Sequence, residues 1–450
     1  MSNYIERLFV KQVRHLRDVD ISIGKNEDES PRHLILTGPN GSGKTSLLQA
    51  ILAYLQGSAE HKRWLHEPEW KNRRDALQLQ IEQTNSQIQN APGSLRLQLE
   101  KQRDLEVQEL QNLDVQLKHL ETLELVIPDR GGLFRPYLEG KVVIAFFGAK
   151  RKNEMSRSQT IRKIDLKERY AIEAEGRIEF LEYIVGLNAK RAFASTDGDH
   201  AAVDVIDRWF ARFTQALKDL YGDSALELLF DRDAFNYRIQ LSDGREPFDL
   251  NQLSDGYNAV LSVVTELVIR MERLAPRTFD LPGIVLIDEI ETHLHIELQR
   301  KILPFLTTFF PKVQFIVTTH SPFVLTSISN ATIFDLSTKT KVEDLTGYSS
   351  QAVLEGYFGQ SKYSEVLQAE LAEYRDLARR KASLGLDEFD RLEELKDRLR
   401  DLPKAFSPEL EMALQEIEGT ETILHAAEAP VHLDAPTRHV EPGRQGLAGA

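Results

Sequence analysis

Between an apolar run, His33-Leu-Ile-Leu-Thr37, and the start of a helical pattern lies Gly38-Pro39-Asn40-Gly41-Ser42-Gly43-Lys44-Thr45. These eight residues match G-x-x-x-x-G-K-[ST], with a strand before and a helix after, the setting the pattern requires. Glycines let backbone N–H groups fold around a phosphate with no Cβ in the way, and a helix N-terminus adds a favourable dipole. Lys44 would reach the β- and γ-phosphates, and the Thr45 hydroxyl would bind Mg²⁺. With Ser46 in the first helical turn, residues 38–46 form one candidate nucleotide-binding segment. A plain glycine-rich turn is a poor alternative. The fold class this predicts is α/β.

Downstream, Gly283-Ile-Val-Leu-Ile-Asp288-Glu289 is an apolar strand ending in two carboxylates. Such a strand alone says little. Beside the glycine-rich turn, the first acid suits a Mg²⁺ shell and the second can polarise an attacking water. Two further segments narrow the choice: Gln314-Phe-Ile-Val-Thr-Thr-His320, a buried strand ending in histidine, and Leu253-Ser254-Asp255-Gly256-Tyr257, which opens a helix with Val260, Val264, Leu267, Val268 and Met271 on one face.

Composition sets outer limits. The chain has 450 residues, 41% apolar and 28% charged, enough for a large core in two or three units at ~150 residues each. Its 56 Lys/Arg against 70 Asp/Glu leave a net charge of −14, so nucleic-acid contact would need a local patch. The absence of cysteine excludes disulfides, zinc ribbons, Fe–S clusters and a thiol nucleophile, and fits a reducing compartment. No apolar run reaches the ~18 residues of a membrane span, and the N-terminus is too evenly charged for a signal peptide. The expected location is cytoplasmic, with no membrane partner.

Along the chain, residues 1–63 predict strands at Leu8–Val10, Val19–Ile23 and His33–Thr37, then a helix from about Thr45. Residues 64–125 predict an antiparallel helical, coiled-coil hairpin, broken at Ala91-Pro-Gly-Ser94. Leu77, Ile81 and Ile88 would face Leu110, Leu113, Leu117 and Leu120, on arms of about 36 Å. Residues 126–224 hold a strand at Val142–Phe147, a basic stretch at 150–169 with eight Lys/Arg against three acids, and helices over about 170–220. Residues 225–345 predict a hairpin over Ala225–Asp243, a helix from Ser254 to Leu274 and the strands Ile284–Ile287 and Gln314–Thr318. Residues 346–420 read as helical and acidic, and 421–450, rich in Ala, Pro, Gly and His, as disordered.

The order of these motifs resembles the ABC-type ATPase head of the RecF/SMC/OLD branch, over roughly residues 1–58 and 225–345. The implied architecture is an α/β P-loop ABC-ATPase head with an inserted helical hairpin and a helical C-terminal region. The signature of such heads is usually written L-S-G-G-Q; Ser254 and Gly256 keep it, whereas Asp255 and Tyr257 depart from it. The resemblance assigns Lys44 and Thr45 to phosphate and Mg²⁺, Asp288 to the metal, Glu289 to the general base and His320 to a switch histidine facing the γ-phosphate. Ser254, Asp255 and Gly256 would meet ATP held by another subunit, so the competent form is at least a homodimer, and a higher oligomer is open. His293 and His295 are spaced like a metal pair, but the resemblance places them in a D-loop with no metal beyond Mg²⁺. Heads of this kind carry a glutamine after the strand leading to the helical lobe. Here Phe146–Arg151 has none nearer than Gln159, and Lys150 or Arg151 is the candidate substitute.

The compact head, short hairpin and helical tail look like the ATPases of Septu, PARIS and retron-associated antiphage systems. That implies an ATPase subunit that answers a phage-derived trigger and controls an effector, a nuclease. The alternative is a RecF/SMC-like repair ATPase that clamps DNA, which calls for a longer coiled coil or a clear basic face. The stretch at 150–169 keeps DNA or RNA contact open. Metal-assisted cleavage of the OLD type needs a Glu on one strand and Asp-x-Asp on the next. Asp387-Glu-Phe-Asp390 reads instead as helix, so the chain itself is not expected to be a nuclease.

Overall fold

The computed structural model describes residues 3–26, 30–151, 155–156, 161, 164–273, 279–342, 344–356 and 364–400. The chain opens with an antiparallel pair, β1 (Arg7–Val13) and β2 (Leu16–Ser22), longer than the sequence pattern suggests. Alternate residues Leu8, Val10, Leu16, Val19 and Ile21 are buried and their neighbours stay wet, as in a sheet covered on one face. Then come β3 (His33–Thr37) and α1 (Lys44–Ala59).

Helices α2 (Arg63–Asn90) and α3 (Gly93–Thr122) form the hairpin, turning at Ala91 and Pro92. At ~1.5 Å per residue the arms are about 42 and 45 Å long. Leu77, Ile88 and Leu117 are buried as the apolar stripe predicts. Ile81, Leu110 and Leu113 are only half-buried. A polar layer joins them: Glu106 is buried and accepts hydrogen bonds from Gln80 Nε2 (2.9 Å), Thr84 Oγ1 (3.1 Å) and Gln102 Nε2 (2.8 Å). The base of the hairpin, at Trp64 and Trp70, packs on the N-terminal core. The chain returns through β4 (Leu123–Val126), which pairs with β1, then α4 (Arg130–Leu138) and β5 (Val143–Phe147).

The helices expected from 170 begin later, α5 at Phe180–Thr196 and α6 at His200–Tyr221. Before them the chain makes a turn at Ile172–Glu173 and a single 3-10 turn at Gly176–Glu179, and part of its backbone is claimed elsewhere. Ile172 N–H donates to Glu60 (2.8 Å), and Arg270 donates to the carbonyls of Ile172 (3.3 Å) and Ala174 (2.8 Å). Strands β6 (Glu227–Asp231), β7 (Asn236–Gln240) and β8 (Phe248–Asp249) form a small antiparallel sheet. Next come α7 (Asp255–Glu272), β9 (Gly283–Ile287), α8 (Ile296–Phe309), β10 (Val313–Thr318), α9 (Pro322–Leu325), β11 (Ala331–Asp335), β12 (Thr340–Val342) and α10 (Ser350–Gly356). Helices α11 (Glu365–Arg379) and α12 (Leu386–Arg400) belong to a separate compact unit, from Gln360 on, closed over Tyr374, Leu377, Leu392, Leu395 and Leu399. The rest of the expected C-terminal helix, 401–420, and the tail, 421–450, lie outside the described residues.

The central sheet has the order β12-β11-β3-β10-β9-β5, parallel except for β12. Its inner strands are buried on both faces, and the pleat sorts their side chains into two cores. Leu34, Leu36, Ile284, Leu286 and Ile316 join α1 and the N-terminal sheet. Ile35, Val285, Ile287, Phe315 and Val317 join α5 to α8. Helix α7 is enclosed almost throughout, and its buried charges are all partnered. Glu266 binds Arg270 (2.7 Å) and two backbone N–H groups, while Glu272 accepts from Trp209 (2.6 Å) and Tyr183 (2.6 Å).

His33, in β3, is buried and accepts the Phe315 N–H at Nδ1 (3.1 Å). Burial pushes its pKa from 6.5 down to about 4. The unfolded chain therefore binds the extra proton between these values, and stability from this group, complete above pH 6.5, is lost as pH falls towards 4. At ~1.4 kcal/mol per unit the loss is about 3 kcal/mol. Urea unfolding at pH 7 and 4.5 should show His33→Asn, which keeps an acceptor but cannot titrate, losing less stability than the parent; equal losses would refute this.

Candidate functional site

Three neighbouring parallel strands, β3, β10 and β9, end at the same edge of the sheet, and each delivers one part of the site. After β3 the backbone needs φ of 130° at Gly38 and 97° at Gly43, values that L side chains rarely adopt. A Cβ on Gly38 would also lie 2.9 Å from Ser42 Oγ, and one on Gly43 would lie 3.0 Å from Leu16. Lys44 is buried, and its Nζ donates to the carbonyls of Gly38 (2.8 Å) and Pro39 (3.1 Å). Burial holds its ammonium below the ordinary lysine value, against the pull of Glu291, Glu289, Asp288 and Asp335. Pro39, Asn40, Gly41 and Thr45 are exposed along the turn, and Ser46 is half-buried.

The carboxylate of Asp288, at the end of β9, is fixed from two sides. Its Oδ1 accepts from Thr45 Oγ1 (3.2 Å) and from Thr318 Oγ1 (2.7 Å), while the same Thr318 hydroxyl accepts the Glu289 N–H (2.7 Å). Glu289 stands at φ 44°, a left-handed turn unusual for a long side chain, and its Oε2 accepts from Thr292 Oγ1 (3.2 Å). Glu291 accepts the His320 N–H (2.6 Å) on Oε1; its other oxygen is buried with no partner among the described residues. Burial and Lys44 push the His320 pKa below the usual value, so its ring is neutral at neutral pH.

Arg151, a candidate substitute for the missing glutamine, is buried, whereas Lys150 is exposed. The Arg151 guanidinium donates to the main-chain carbonyls of Asp288 (2.7 Å), Glu289 (3.0 Å) and Ile290 (3.1 Å). Burial draws its pKa down to about 10, which leaves it charged at neutral pH. Others of the basic stretch are also engaged in packing: Lys167 lies 5.4 Å from the Tyr170 ring and Arg169 5.2 Å from Tyr137. Lys152, Arg157, Arg162 and Lys163, like Gln159, lie outside the described residues.

Ser254 caps α7 by position, and both it and Asp255 are exposed. Among the described residues they share no hydrogen bond with the P-loop, Asp288 or Glu289. Gly256 is buried because the main chain of the next segment presses on it: a Cβ there would lie 3.0 Å from the His293 carbonyl. His293 and His295 are both exposed, and no group of three or more metal-binding side chains occurs among the described residues. The motifs do not single out Thr318 or Glu291. The one signal for Thr318 is register: Ile287 pairs with Val317, so Asp288 and Thr318 end neighbouring strands side by side.

The family described as "AAA domain, putative AbiEii toxin, Type IV TA system" matches residues 34–326, a span that runs from the P-loop strand to the residues after His320. The chain belongs to this AAA family. The Septu protein PtuA of Bacillus mycoides (strain KBAB4) is 24% identical over 326 residues, covering 72% of this chain and 39% of that protein. The retron Ec83 probable ATPase of Escherichia coli is 38% identical over 138 residues, 28% of this chain and 25% of that one. The chain thus aligns with about two-fifths of the first relative's length and a quarter of the second's. A solved SMC head bound to the C-terminal winged-helix domain of ScpA aligns over 74% of this chain and 94% of its own, at 13% identity and a TM-score of 0.34, a loose likeness only.

Because the Thr318 hydroxyl accepts one bond and donates another in a buried setting, its loss leaves both partners short. Thr318→Val should cost about 1–3 kcal/mol in urea unfolding, and Thr318→Ser should recover most of it. Equal stability of the Val and Ser variants would remove Thr318 from this network.

Proposed function

We propose that this chain is an ATP-binding and -hydrolysing subunit of a Septu- or retron-type antiphage system, which controls a partner effector. The observation that carries the ATPase reading is the linked set Thr45–Asp288–Thr318–Glu289 beside Lys44, in which hydrogen bonds join the phosphate-binding turn to two carboxylates. Family membership and the Septu and retron relatives support the choice of system.

In this reading the glycine-rich turn and the α1 N-terminus cradle the phosphates, and Lys44 turns its charge from loop carbonyls to phosphate oxygens. Thr45 and Asp288 offer hard oxygens 3.2 Å apart, a donor set that suits Mg²⁺; the ion, when bound, supplies charge neutralisation at the phosphates. Glu289 accepts a proton from the attacking water as oxygen bonds to the γ-phosphorus and the bond to the β-phosphate breaks. His320, neutral, contributes a hydrogen bond rather than a charge. Ser254, Asp255 and Gly256 stand at an exposed helix N-terminus, suited to ATP on a second copy, so the working form is at least a homodimer. Cutting of nucleic acid falls to the effector, a nuclease in this reading, and the trigger is phage-derived. The effector docks on the hairpin or the C-terminal unit, the parts that carry none of these side chains.

Glu289→Gln should bind ATP as the parent does but turn over about 10²–10⁴-fold more slowly. It should accumulate as an ATP-bound dimer or larger species in size-exclusion chromatography with light scattering, and Lys44→Ala should not. Wild-type turnover in Glu289→Gln would remove it from the mechanism. Running the same assay with DNA at two salt concentrations tests the repair reading, which requires trapping on DNA that weakens steeply with salt.

The system assignment has its own test. Removing residues 78–107 behind a short Gly linker spares Leu77, Trp70 and Leu117, so ATP turnover should persist. Protection of a phage-sensitive host expressing the complete system should fall to the level of Lys44→Ala. Full protection by the shortened chain would show that the hairpin is only structural.

A further inference from the structure

The turn between β1 and β2 rides on the P-loop. His15 Nε2 lies 3.1 Å from the Ser42 carbonyl oxygen, and a Cβ on Gly43 would come within 3.0 Å of Leu16. Arg14, at the tip with φ 52°, is exposed, as are Lys11 and Arg17. Among the described residues the side chains of these three make no hydrogen bond or ion pair. Lys339 leans over the same turn, its Nζ donating to the Arg17 carbonyl (3.1 Å). Within Lys11–Asp18 the only acid is Asp18. Unspent positive charge therefore gathers at one edge of the nucleotide-binding turn.

A cavity of about 570 Å³ opens beside Ser254, between the end of α6, the loop from β7 to β8 and the first turn of α7. Its lining includes Tyr221 and Tyr257, whose rings stack 3.9 Å apart. The Tyr221 hydroxyl is buried with no hydrogen-bond partner among the described residues. Asp223 and Asp243 line the cavity too, and Asp255 stands exposed one residue beyond Ser254. Two cations lie close by. Arg245 is already paired with Asp243 (2.6 Å), and Lys301 Nζ would lie 3.3 Å from a Cβ on Gly222. Aromatic rings, a surplus of carboxylates and an orphan hydroxyl suit a guanidinium, through cation–π attraction, charge and a hydrogen-bond acceptor. They do not suit a phosphate.

We propose that the β1–β2 turn of one copy docks in this cavity of a second copy, with the Arg14 guanidinium against Tyr221, Tyr257 and Asp243. This rests on the dimer of the ATPase reading above and names a contact within it. Where Ser254 meets a nucleotide held by the other copy's P-loop, the turn seated on that P-loop through His15 and Leu16 arrives beside Ser254 with it. The basic turn then faces the acidic cavity, and the Tyr221 hydroxyl gains a donor. In a twofold dimer the contact occurs twice, each copy lending its Arg14 to the other.

The test uses the full chain carrying Glu289→Gln, with ATP and Mg²⁺, and reads dimerisation by size-exclusion chromatography with light scattering over a concentration series. Arg14→Glu and Asp243→Lys, both at exposed positions, should each weaken the dimer on the order of tenfold or more, because like charges then face each other at both contacts. Mixed in equal amounts, the two variants should recover dimers, because opposite charges then meet at both contacts of the mixed pair. ATP affinity, titrated with a fluorescent analogue where the chain is monomeric, should stay within about threefold of the parent's. A larger loss in Arg14→Glu would put that arginine on its own copy's nucleotide and overturn the docking. The chain has no cysteine, so introduced thiols report the contact directly. Arg14→Cys together with Ser242→Cys, on the cavity wall, should give a disulfide-linked dimer on mild oxidation with ATP, and neither substitution alone should. If Glu289→Gln dimerises with ATP but the mixture shows no recovery, or the paired thiols do not link, the docking alone is overturned. If Glu289→Gln forms no ATP-dependent dimer, the dimer reading falls and the docking with it.

Discussion

The hydroxyl of Thr318 is the point on which the site hangs. It accepts the Glu289 N–H and donates to Asp288, and Asp288 in turn receives the Thr45 hydroxyl. This chain of bonds exists only because β3, β10 and β9 are adjacent and parallel, so that their ends arrive together. A buried carboxylate without such partners would be strongly unfavourable. The same bonds that make Asp288 tolerable therefore also fix where it points. Placement of the site at the carboxyl ends of parallel strands follows the general rule for open α/β sheets, where the strands' turns leave a crevice.

Rigidity elsewhere serves this edge. Helix α7 runs through the second core with Glu266, Arg270 and Glu272 all satisfied inside it, and a buried ion pair of that kind is strongly destabilising to break by half. Its exposed end carries Ser254 and Asp255, so the packing that holds α7 also fixes where these two residues stand.

The parts legible in sequence are those whose signal is local. The glycine-rich turn, the strand ending at Asp288-Glu289 and the helix after Ser254 each announce themselves within ten residues. What escapes depends on distant partners. Sequence names Lys150 or Arg151 as the substitute for the missing glutamine without choosing, and only the fold shows Arg151 buried under the carbonyls of residues 288–290 while Lys150 is exposed. Glu106 has no sequence signal of its own, yet three polar neighbours, two of them on the other arm, make its burial possible. Residues 172–174 fall within the stretch expected to be helical, but Glu60 and Arg270, each from elsewhere in the chain, take hydrogen bonds from their backbone. Propensity loses wherever tertiary partners claim the backbone.

The two departures from the usual signature have separate physical accounts. Tyr257 stacks on Tyr221, the last residue of α6, with ring centroids 3.9 Å apart and planes within 3°. That contact pins the first turn of α7 to its neighbour, a task a glutamine at this position would do less well. Asp255 is exposed in the first turn of α7, where an acid stabilises the helix by roughly 0.3–1 kcal/mol through the dipole. The same placement sets it against any phosphate approaching that N-terminus, since both compete for one positive pole. In the proposed dimer the phosphate's other contacts, Lys44 foremost, would outweigh this local repulsion.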